Sequence, residues 1–392
     1  MIIEVTDDRL ADAAAPALAG LEADLAFCHP AILSVIGVSG GKIAVQAAPR
    51  DTAEAESVRR DICRVADLSI ASYRFVPEAA PLWTRAAGGP SDLAALTDFR
   101  QRFMIELGPG QWAVTGAAAT LRASIDARFH RLALACGAEP WHLPSIESTD
   151  DLLPRVGYLA SHAQHVTWGV HLTPRFDSLR RFAADARERA ATAPHPDHEP
   201  RPTGFILEPV VCHNVYRALR GARLDGTRMV TALGACYRFE GCRFAPLLRQ
   251  WEFSMREAIL VGAPDALRRM RERILEATLT VCDELDLGGA LEIATDPFFV
   301  SEAGSARAFQ AMHSTKLELR LDLGGGAATA AASFNLHGTH FTHPMDIRGA
   351  DGELLETACV GWGIERWMAA LVARRGPEPS DWRGLPPSWL ER

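Results

Sequence analysis

The chain has 392 residues, a formal net charge of −8 and 48% hydrophobic residues, enough for one large domain and a smaller companion with a sizeable buried core. No run of about 18 apolar residues is present, which removes a membrane-spanning helix. The acidic opening Met1-Ile2-Ile3-Glu4-Val5-Thr6-Asp7-Asp8 lacks the basic and apolar segments of a secretory signal, so a cytoplasmic location is expected, and the net acidity gives no hint of the basic face with which proteins grip RNA. Eight cysteines, at positions 28, 63, 136, 212, 236, 242, 282 and 359, are scattered along the chain without a C-x-x-C pair. That argues against a disulfide scaffold or a zinc ribbon, and any metal site has to be assembled from distant segments.

Residues 1 to about 80 read as a small α+β unit. Ile32–Val38 and Lys42–Ala47 predict two strands around the turn Ser39-Gly40-Gly41, and Thr52 to Val65 predicts an amphipathic helix. No chemical motif lies here, and the unit reads as a packing or docking appendage. Arg85 to Ser91, rich in glycine and alanine, reads as a linker. A helix is expected over Ala117 to Ala135, with Leu121, Ile125, Phe129 and Leu132 on one face and Arg122, Asp126 and Arg131 on others. It runs into Gly137-Ala138-Glu139-Pro140 and a proline-bearing strand. Arg187 to Pro202 breaks periodicity and reads as an exposed insertion. A strand region through Val211, a hairpin and a helix from Pro264 to Leu285 follow. Lys316 to Leu323 alternates, so its leucines cover a core and its charges face out. Three glycines, 324 to 326, then turn the chain into Ala328–Asn335, whose small side chains Ala330, Ala331 and Ala332 suit a strand lining a cleft. Strands joined by hairpins and followed by a helix predict an antiparallel sheet in an α+β fold, not a Rossmann fold.

Two stretches carry chemistry. One is Gly361-Trp362-Gly363-Ile364-Glu365-Arg366-Trp367, entered through Cys359, where a glycine pair opens a helix and delivers an arginine one turn in. The other is Tyr237-Arg238-Phe239-Glu240 followed by Arg249-Gln250-Trp251-Glu252-Phe253. Arginine suits polyphosphate recognition because its planar fork stays charged and bonds two oxygens at once, although most arginines are surface charges. Together the two stretches resemble motifs 3 and 2 of the class II aminoacyl-tRNA synthetase catalytic domain, and the helix with its proline-bearing strand resembles motif 1, the dimer-forming element. The resemblance implies that Arg238 holds the α-phosphate of ATP while Arg249 and Arg366 hold the far phosphates. It further implies that Arg366 and Phe253 sandwich the adenine, that Glu240 accepts from its amino group, and that Gln250 and Ala330 to Ala332 complete the nucleotide site. Arg238 and Arg366 are the catalytic residues on this reading. The acidic magnesium-binding position of many class II enzymes falls on Thr329.

Cys212, Glu257 and Cys359 make a competent three-ligand zinc set with one position open. Their spacing carries no metal signature, and by residue type alone the two cysteines read as buried small hydrophobes rather than as ligands. The segments Glu208-Pro209-Val210-Val211-Cys212-His213-Asn214-Val215-Tyr216 and Phe253-Ser254-Met255-Arg256-Glu257, with Cys359 before the glycine pair, resemble the zinc-binding segments of atypical methanogen-type seryl-tRNA synthetases. They equally resemble those of the amino acid:[carrier protein] ligases related to that catalytic domain. This implies one zinc per subunit, reading the substrate's α-amino group. By the same resemblance His213, Asp296, Ser333 and Asn335 join Cys212 and Glu257 on the substrate side, although Asp296 before Pro297 also reads as a turn or cap. His337, His340 and His343 read as polar loop histidines, because positions three apart near a strand end project apart. Cys236 and Cys242 read as strand packing and hairpin filler.

The resemblance covers about residues 100 to 392, giving a small N-terminal unit (1–88) and a catalytic domain (89–392). It implies a homodimeric, ATP- and Mg2+-dependent ligase that activates glycine or alanine to the adenylate. The aminoacyl group then moves to the phosphopantetheine thiol of a carrier protein. The shortness of the N-terminal unit and the negative charge make tRNA the less expected acceptor. A seryl-type synthetase acting on tRNA is the alternative.

Overall fold

The computed structural model describes residues 1–11, 13, 15–72, 80–189, 193–294 and 315–382. Asp296 lies outside them. The N-terminal unit places strands β1 (Ile2–Thr6), β2 (Ile32–Ser39) and β3 (Lys42–Ala47) in the order β1-β3-β2, with helices α1 (Ala15–Leu25) and α2 (Thr52–Ser72) packed on them. Ile3, Leu21, Leu25, Ile43, Val45, Val58 and Ile62 form its core. The predicted hairpin is present. The helix continues seven residues past Val65 to Ser72, and strand β1 and helix α1 are additional to the sequence reading.

The second unit is built on an eight-stranded sheet. Its strands are β4 (Trp83–Arg85), β7 (Glu139–Pro140), β12 (Arg228–Tyr237), β13 (Glu252–Gly262), β14 (Gly289–Ile293), β15 (Lys316–Gly324), β16 (Ala327–Gly338) and β18 (Glu356–Gly363), in the order β4-β14-β15-β16-β18-β13-β12-β7. All neighbours are antiparallel except the edge pair β7 and β12. Trp83–Arg85, grouped with the N-terminal appendage by sequence, is the opposite edge strand. Its backbone pairs with β14, and Arg85 joins Asp283 at 2.8 Å and Asp286 at 3.1 Å.

Three helices cover one face of the sheet: α4 (Gly116–Ala135), α9 (Pro264–Leu285) and, following β18 directly, α11 (Ile364–Arg375). The apolar face predicted for α4 is buried at Leu121, Ile125, Phe129 and Leu132. Phe129 stacks on Trp362 of β18 with centroids 5.0 Å apart and meets Trp367 of α11 at 4.8 Å. Polar side chains of β13 on this face are paired: Arg256 forks onto Asp126 at 2.8 and 2.9 Å, and Glu365 accepts from the Ser254 amide at 2.9 Å and from Arg122 at 3.1 Å. Arg122 and Asp126 of α4 therefore clamp the helix to the sheet. Burial of such charges is sustained only by pairing of this kind.

Between these units lie α3 (Ala94–Phe103), the hairpin β5 (Met104–Gly108) and β6 (Gln111–Val114), and a three-stranded sheet β8-β10-β9 made of β8 (Ile146–Ser148), β9 (Trp168–Leu172) and β10 (Pro200–Leu207). Short helices α5 (Leu152–Arg155) and α6 (Tyr158–Ser161) and the longer α7 (Phe176–Glu188) adjoin it. The segment Arg187–Pro202 is not uniformly an exposed insertion: its start finishes α7, its end opens β10, and His198 is buried with Nε2 2.8 Å from Asp185. Remaining elements are α8 (Cys212–Ala218), α10 (Thr342–Met345) and the small pair β11 (Arg223–Leu224) and β17 (Arg348–Gly349). Among the described residues no helix is long and apolar enough to cross a membrane.

Candidate active site

Strand parity assembles the site. Directly paired residues in a sheet project to the same side, and so do residues two apart along a strand. Ala232 pairs with Glu257, Glu257 with Gly361, Gly361 with Ser333, and Asn335 with Cys359. Four strands thus place Glu257, Cys359, Gly361, Ser333 and Asn335 on the face opposite α4, α9 and α11. Cys236 pairs with Phe253 on that face as well.

Helix α8 lies over this face and delivers Cys212 at its first residue. The ligand atoms of Cys212, Glu257 and Cys359 all lie within 4.8 Å of one another, and all three residues are buried. Hydrogen bonds orient α8. Asn214 Nδ2 donates to Glu208 Oε1 at 2.7 Å and faces the carbonyls of Pro144 and Ile146, while Arg217 holds Asn214 Oδ1 and Asp151 at 3.0 Å each. His213 packs edge-on to Tyr158, and its Nδ1 is 3.1 Å from the buried Glu147. It therefore supports the helix that carries Cys212.

Gly361 is the position where the absence of a side chain matters: a Cβ there would lie 3.1 Å from Met255 Sδ and 3.4 Å from Ser333 Oγ. A larger residue would fill the space beside the three-residue cluster.

The electrostatics of the cluster are those of an unmet cation site. Glu257 Oε2 has no hydrogen-bond partner, and burial, then the nearby Cys359, raises the Glu257 carboxyl well above the usual range. Cys212 holds the proton of the thiol pair: its hydrogen bond with Cys359 and then burial push it up. The same bond, aided by His337 and Asn335, pulls Cys359 down. Two sulfurs and an orphaned carboxylate oxygen converging in a dry pocket form a donor set that fits zinc. Glu208 is fully buried, and burial followed by repulsion from Glu147 pushes it up to about 9.

The second part of the site is the hairpin between β12 and β13. The Arg238 guanidinium lies 5.3 Å from the Phe253 ring centroid and donates to the Pro209 carbonyl at 3.1 Å. Arg238 and Phe253 both sit on the site face where β12 and β13 open into the loop. Arg366 donates to the Leu248 carbonyl at 3.0 Å and to the Ala330 carbonyl at 2.9 Å, linking the loop to β16. Burial, then the charges of Arg249 and Arg238, lowers it to about 10. Arg249 reaches Glu240 at 3.1 Å, and Arg243 approaches the same carboxylate at 3.7 Å. Gln250 is engaged at both ends within the hairpin, accepting from the Leu247 amide at 2.9 Å and donating to the Glu252 carbonyl at 3.0 Å. Its role here is to hold Leu247, whose φ of 63° is a left-handed conformation unusual for leucine.

Ala331 and Ala332 are buried. Ser333 Oγ accepts from Asn335 Nδ2 at 3.2 Å. Thr329 is buried, and the neighbouring strand carries two carboxylates, Asp322 opposite Ala328 and Glu318 opposite Ser333, the latter 3.2 Å from Lys316.

Three contributors were not assigned by sequence. Glu147 and Glu208 carry no motif, although their place around the Cys212 segment was a usable signal. His337, read as a loop histidine, lies with Nε2 3.7 Å from Cys359 Sγ. Its place on β16, two residues beyond Asn335, puts it on the site side, as strand alternation requires.

A helix-backed antiparallel sheet whose face holds an arginine hairpin and a glycine-to-helix arginine defines the class II aminoacyl-tRNA synthetase fold. The M. kandleri SerRS in complex with A. aeolicus tRNASec superposes with a TM-score of 0.70 at 21% identity, covering 99% of this chain and 76% of that one. The Pyrococcus horikoshii seryl-tRNA synthetase complexed with ATP gives a TM-score of 0.52 at 12% identity, over 84% and 79% of the two chains. In sequence, the chain is 31% identical over 253 residues to amino acid–[acyl-carrier-protein] ligase 1 of Bradyrhizobium diazoefficiens, covering 63% of this chain and 74% of that protein. It is 33% identical over 204 residues to the type-2 serine–tRNA ligase of Methanopyrus kandleri, covering 49% of this chain and 38% of that protein. The chain belongs to the family of class II synthetase-like ligases that includes type-2 serine–tRNA ligases and amino acid–[acyl-carrier-protein] ligases. Its match spans less than two fifths of the length of the serine–tRNA ligases. No family-level sequence model matches it.

Proposed function

We propose that this chain is an ATP- and Mg2+-dependent ligase. It activates a small amino acid, glycine or alanine, and passes it to the phosphopantetheine thiol of a carrier protein. One observation carries the reading: the atoms of Cys212, Glu257 and Cys359 gather within 4.8 Å of one another on the sheet face that also bears Arg238.

In the first step a carboxylate oxygen of the amino acid attacks the α-phosphorus of ATP and pyrophosphate leaves. Negative charge grows on the phosphoryl oxygens, and fixed guanidiniums aimed at that charge stabilise the transition state. Arg238 serves the α-phosphate, and Arg249 and Arg366 the departing pyrophosphate. Arg366 is pre-set by its two carbonyl contacts, so little reorganisation is needed when the nucleotide arrives. Glu240 and Phe253 address the adenine, and Ala330 to Ala332 leave room along β16. Held by Cys212, Glu257 and Cys359, zinc supplies an open Lewis-acid position for a neutral α-amino group. Gly361 leaves space beside it. In the second step the partner's thiol sulfur attacks the acyl carbon and AMP leaves, so the chain needs no nucleophile of its own. Homodimerisation through α4 and its following strand accompanies this reading.

Carrier protein is favoured as acceptor by a relative that the chain covers to 74% of its length, an amino acid–[acyl-carrier-protein] ligase. A second reading, transfer to tRNA, is favoured by the structural match that takes in 99% of this chain together with a SerRS bound to tRNA. Amino-acid-dependent pyrophosphate exchange into ATP tests activation, and metal analysis of purified protein tests the expected one zinc per subunit. Parallel transfer assays with a phosphopantetheinylated carrier and with bulk tRNA decide the acceptor. Labelled product on tRNA alone would overturn the preferred reading.

A further inference from the structure

Cys359 is treated differently from Cys212. Asn335 Nδ2 donates to Cys359 Sγ at 3.4 Å, and His337 Nε2 stands 3.7 Å from the same sulfur. Each donor is itself fixed: Asn335 Nδ2 also reaches Ser333 Oγ at 3.2 Å, and His337 Nδ1 lies 3.2 Å from the buried hydroxyl of Thr357. With Thr357 donating to Nδ1, the tautomer presents Nε2–H to the sulfur. Strand pairing supplies both contacts. Asn335 is directly opposite Cys359, and His337, two residues further along the same strand, projects to the same side.

We propose that Asn335 and His337 are positioning residues that act through Cys359, donating two N–H···S bonds that fix its sulfur and withdraw charge from it. This deepens, and rests on, the zinc reading of the cluster. A thiolate that shares its charge with two donors gives less of it to a metal, which keeps that metal more able to accept an amine. Outer-sphere partners of this kind commonly change metal affinity or activity by about 10- to 100-fold. The proposal moves Asn335 from touching the amino acid to acting on the ligand beneath it, and gives His337 a role that histidine spacing alone did not reveal.

The test uses the full chain loaded with cobalt(II), whose sulfur-to-cobalt charge-transfer band reports electron density on the thiolates. Asn335→Leu and His337→Leu are expected to move that band to lower energy and to weaken zinc binding about 10- to 100-fold in chelator competition. His337→Gln, which retains an N–H donor, is expected to restore both readouts, and it covers the case in which a leucine variant fails to fold. Metal-loaded variants with an unshifted band overturn the proposal while leaving the zinc reading standing. A parent protein that takes up neither zinc nor cobalt overturns both.

Discussion

Replacing Glu208 by glutamine is expected to stabilise the metal-free protein, and to do so only above the acidic range. Glu208 is fully buried; Oε1 accepts from Asn214 at 2.7 Å, and Oε2 has no partner. Burial, then Glu147, raises its folded-state pKa from 4.5 to about 9. The unfolded chain therefore loses this proton near pH 4.5, whereas the folded chain keeps it until about 9. Between those values the unfolded state binds fewer protons, so stability falls as pH rises and levels off once the folded group also ionises. At pH 7 the accumulated cost is roughly 3 kcal/mol, from about 1.4 kcal/mol for each of some two and a half pH units. In the Glu208→Gln variant the amide oxygen can still accept from Asn214, and there is no charge to suppress. Urea unfolding with a chelator present, at pH 5 and at pH 8, should show parent and variant within about 1 kcal/mol at the lower pH. At the higher pH the variant should be the more stable by up to roughly 5 kcal/mol, from about 1.4 kcal/mol for each of some three and a half pH units. Two parallel pH profiles would refute the reasoning, because a packing defect alone is indifferent to pH.

Arg366→Lys removes the fork that spans Leu248 and Ala330 and should slow pyrophosphate exchange on the order of 10²- to 10³-fold with little change in melting temperature. Cys359→Ser removes one of the three converging ligands and should lose zinc and amino acid activation together; activation by the metal-free variant would contradict the pocket. Phe129→Ala deletes the ring wedged between Trp362 and Trp367 and should cost roughly 3 to 5 kcal/mol in denaturant unfolding. A loss below about 1 kcal/mol, well under the usual cost of deleting a buried ring, would mean that α4 is not anchored there.

Much of this arrangement was legible because it follows from simple periods. The apolar stripe of α4, the proline-started α9 and the alternation of β15 each specify one element and its buried side. The arginine hairpin and the glycine-to-helix turn were legible as local motifs. Elements that rely on distant partners were not. Trp83–Arg85 is a strand only because β14 offers an edge, and its own composition reads as the start of a linker. His337 was read as a loop residue, yet β16 runs on to Gly338 and ordinary alternation from Asn335 carries it to the side of Cys359. The contact of Gln250 with the left-handed backbone at Leu247 was not legible either, because motif position says nothing of it.

The N-terminal unit gains a physical rationale from the same hairpin. Phe27, just beyond α1, sits edge-on to His165 at 5.3 Å and to Phe239 at 6.3 Å, between Arg238 and Glu240. Gly241, at φ 61°, is pressed so closely on the Ala26 carbonyl that a side chain there would collide with it. The loop that carries the phosphate-directed arginines is thus held from three sides. The N-terminal unit holds its start, Arg366 holds Leu248, and near its end the Trp251 amide donates to the Gly110 carbonyl at 2.9 Å while its indole donates to Thr167 at 2.9 Å. A loop of this length left free loses conformational entropy when it closes on a nucleotide, and each anchor moves part of that ordering cost into the folding of the apo protein. If the hairpin holds ATP as proposed above, the small unit would aid that binding by ordering the loop rather than by touching the nucleotide.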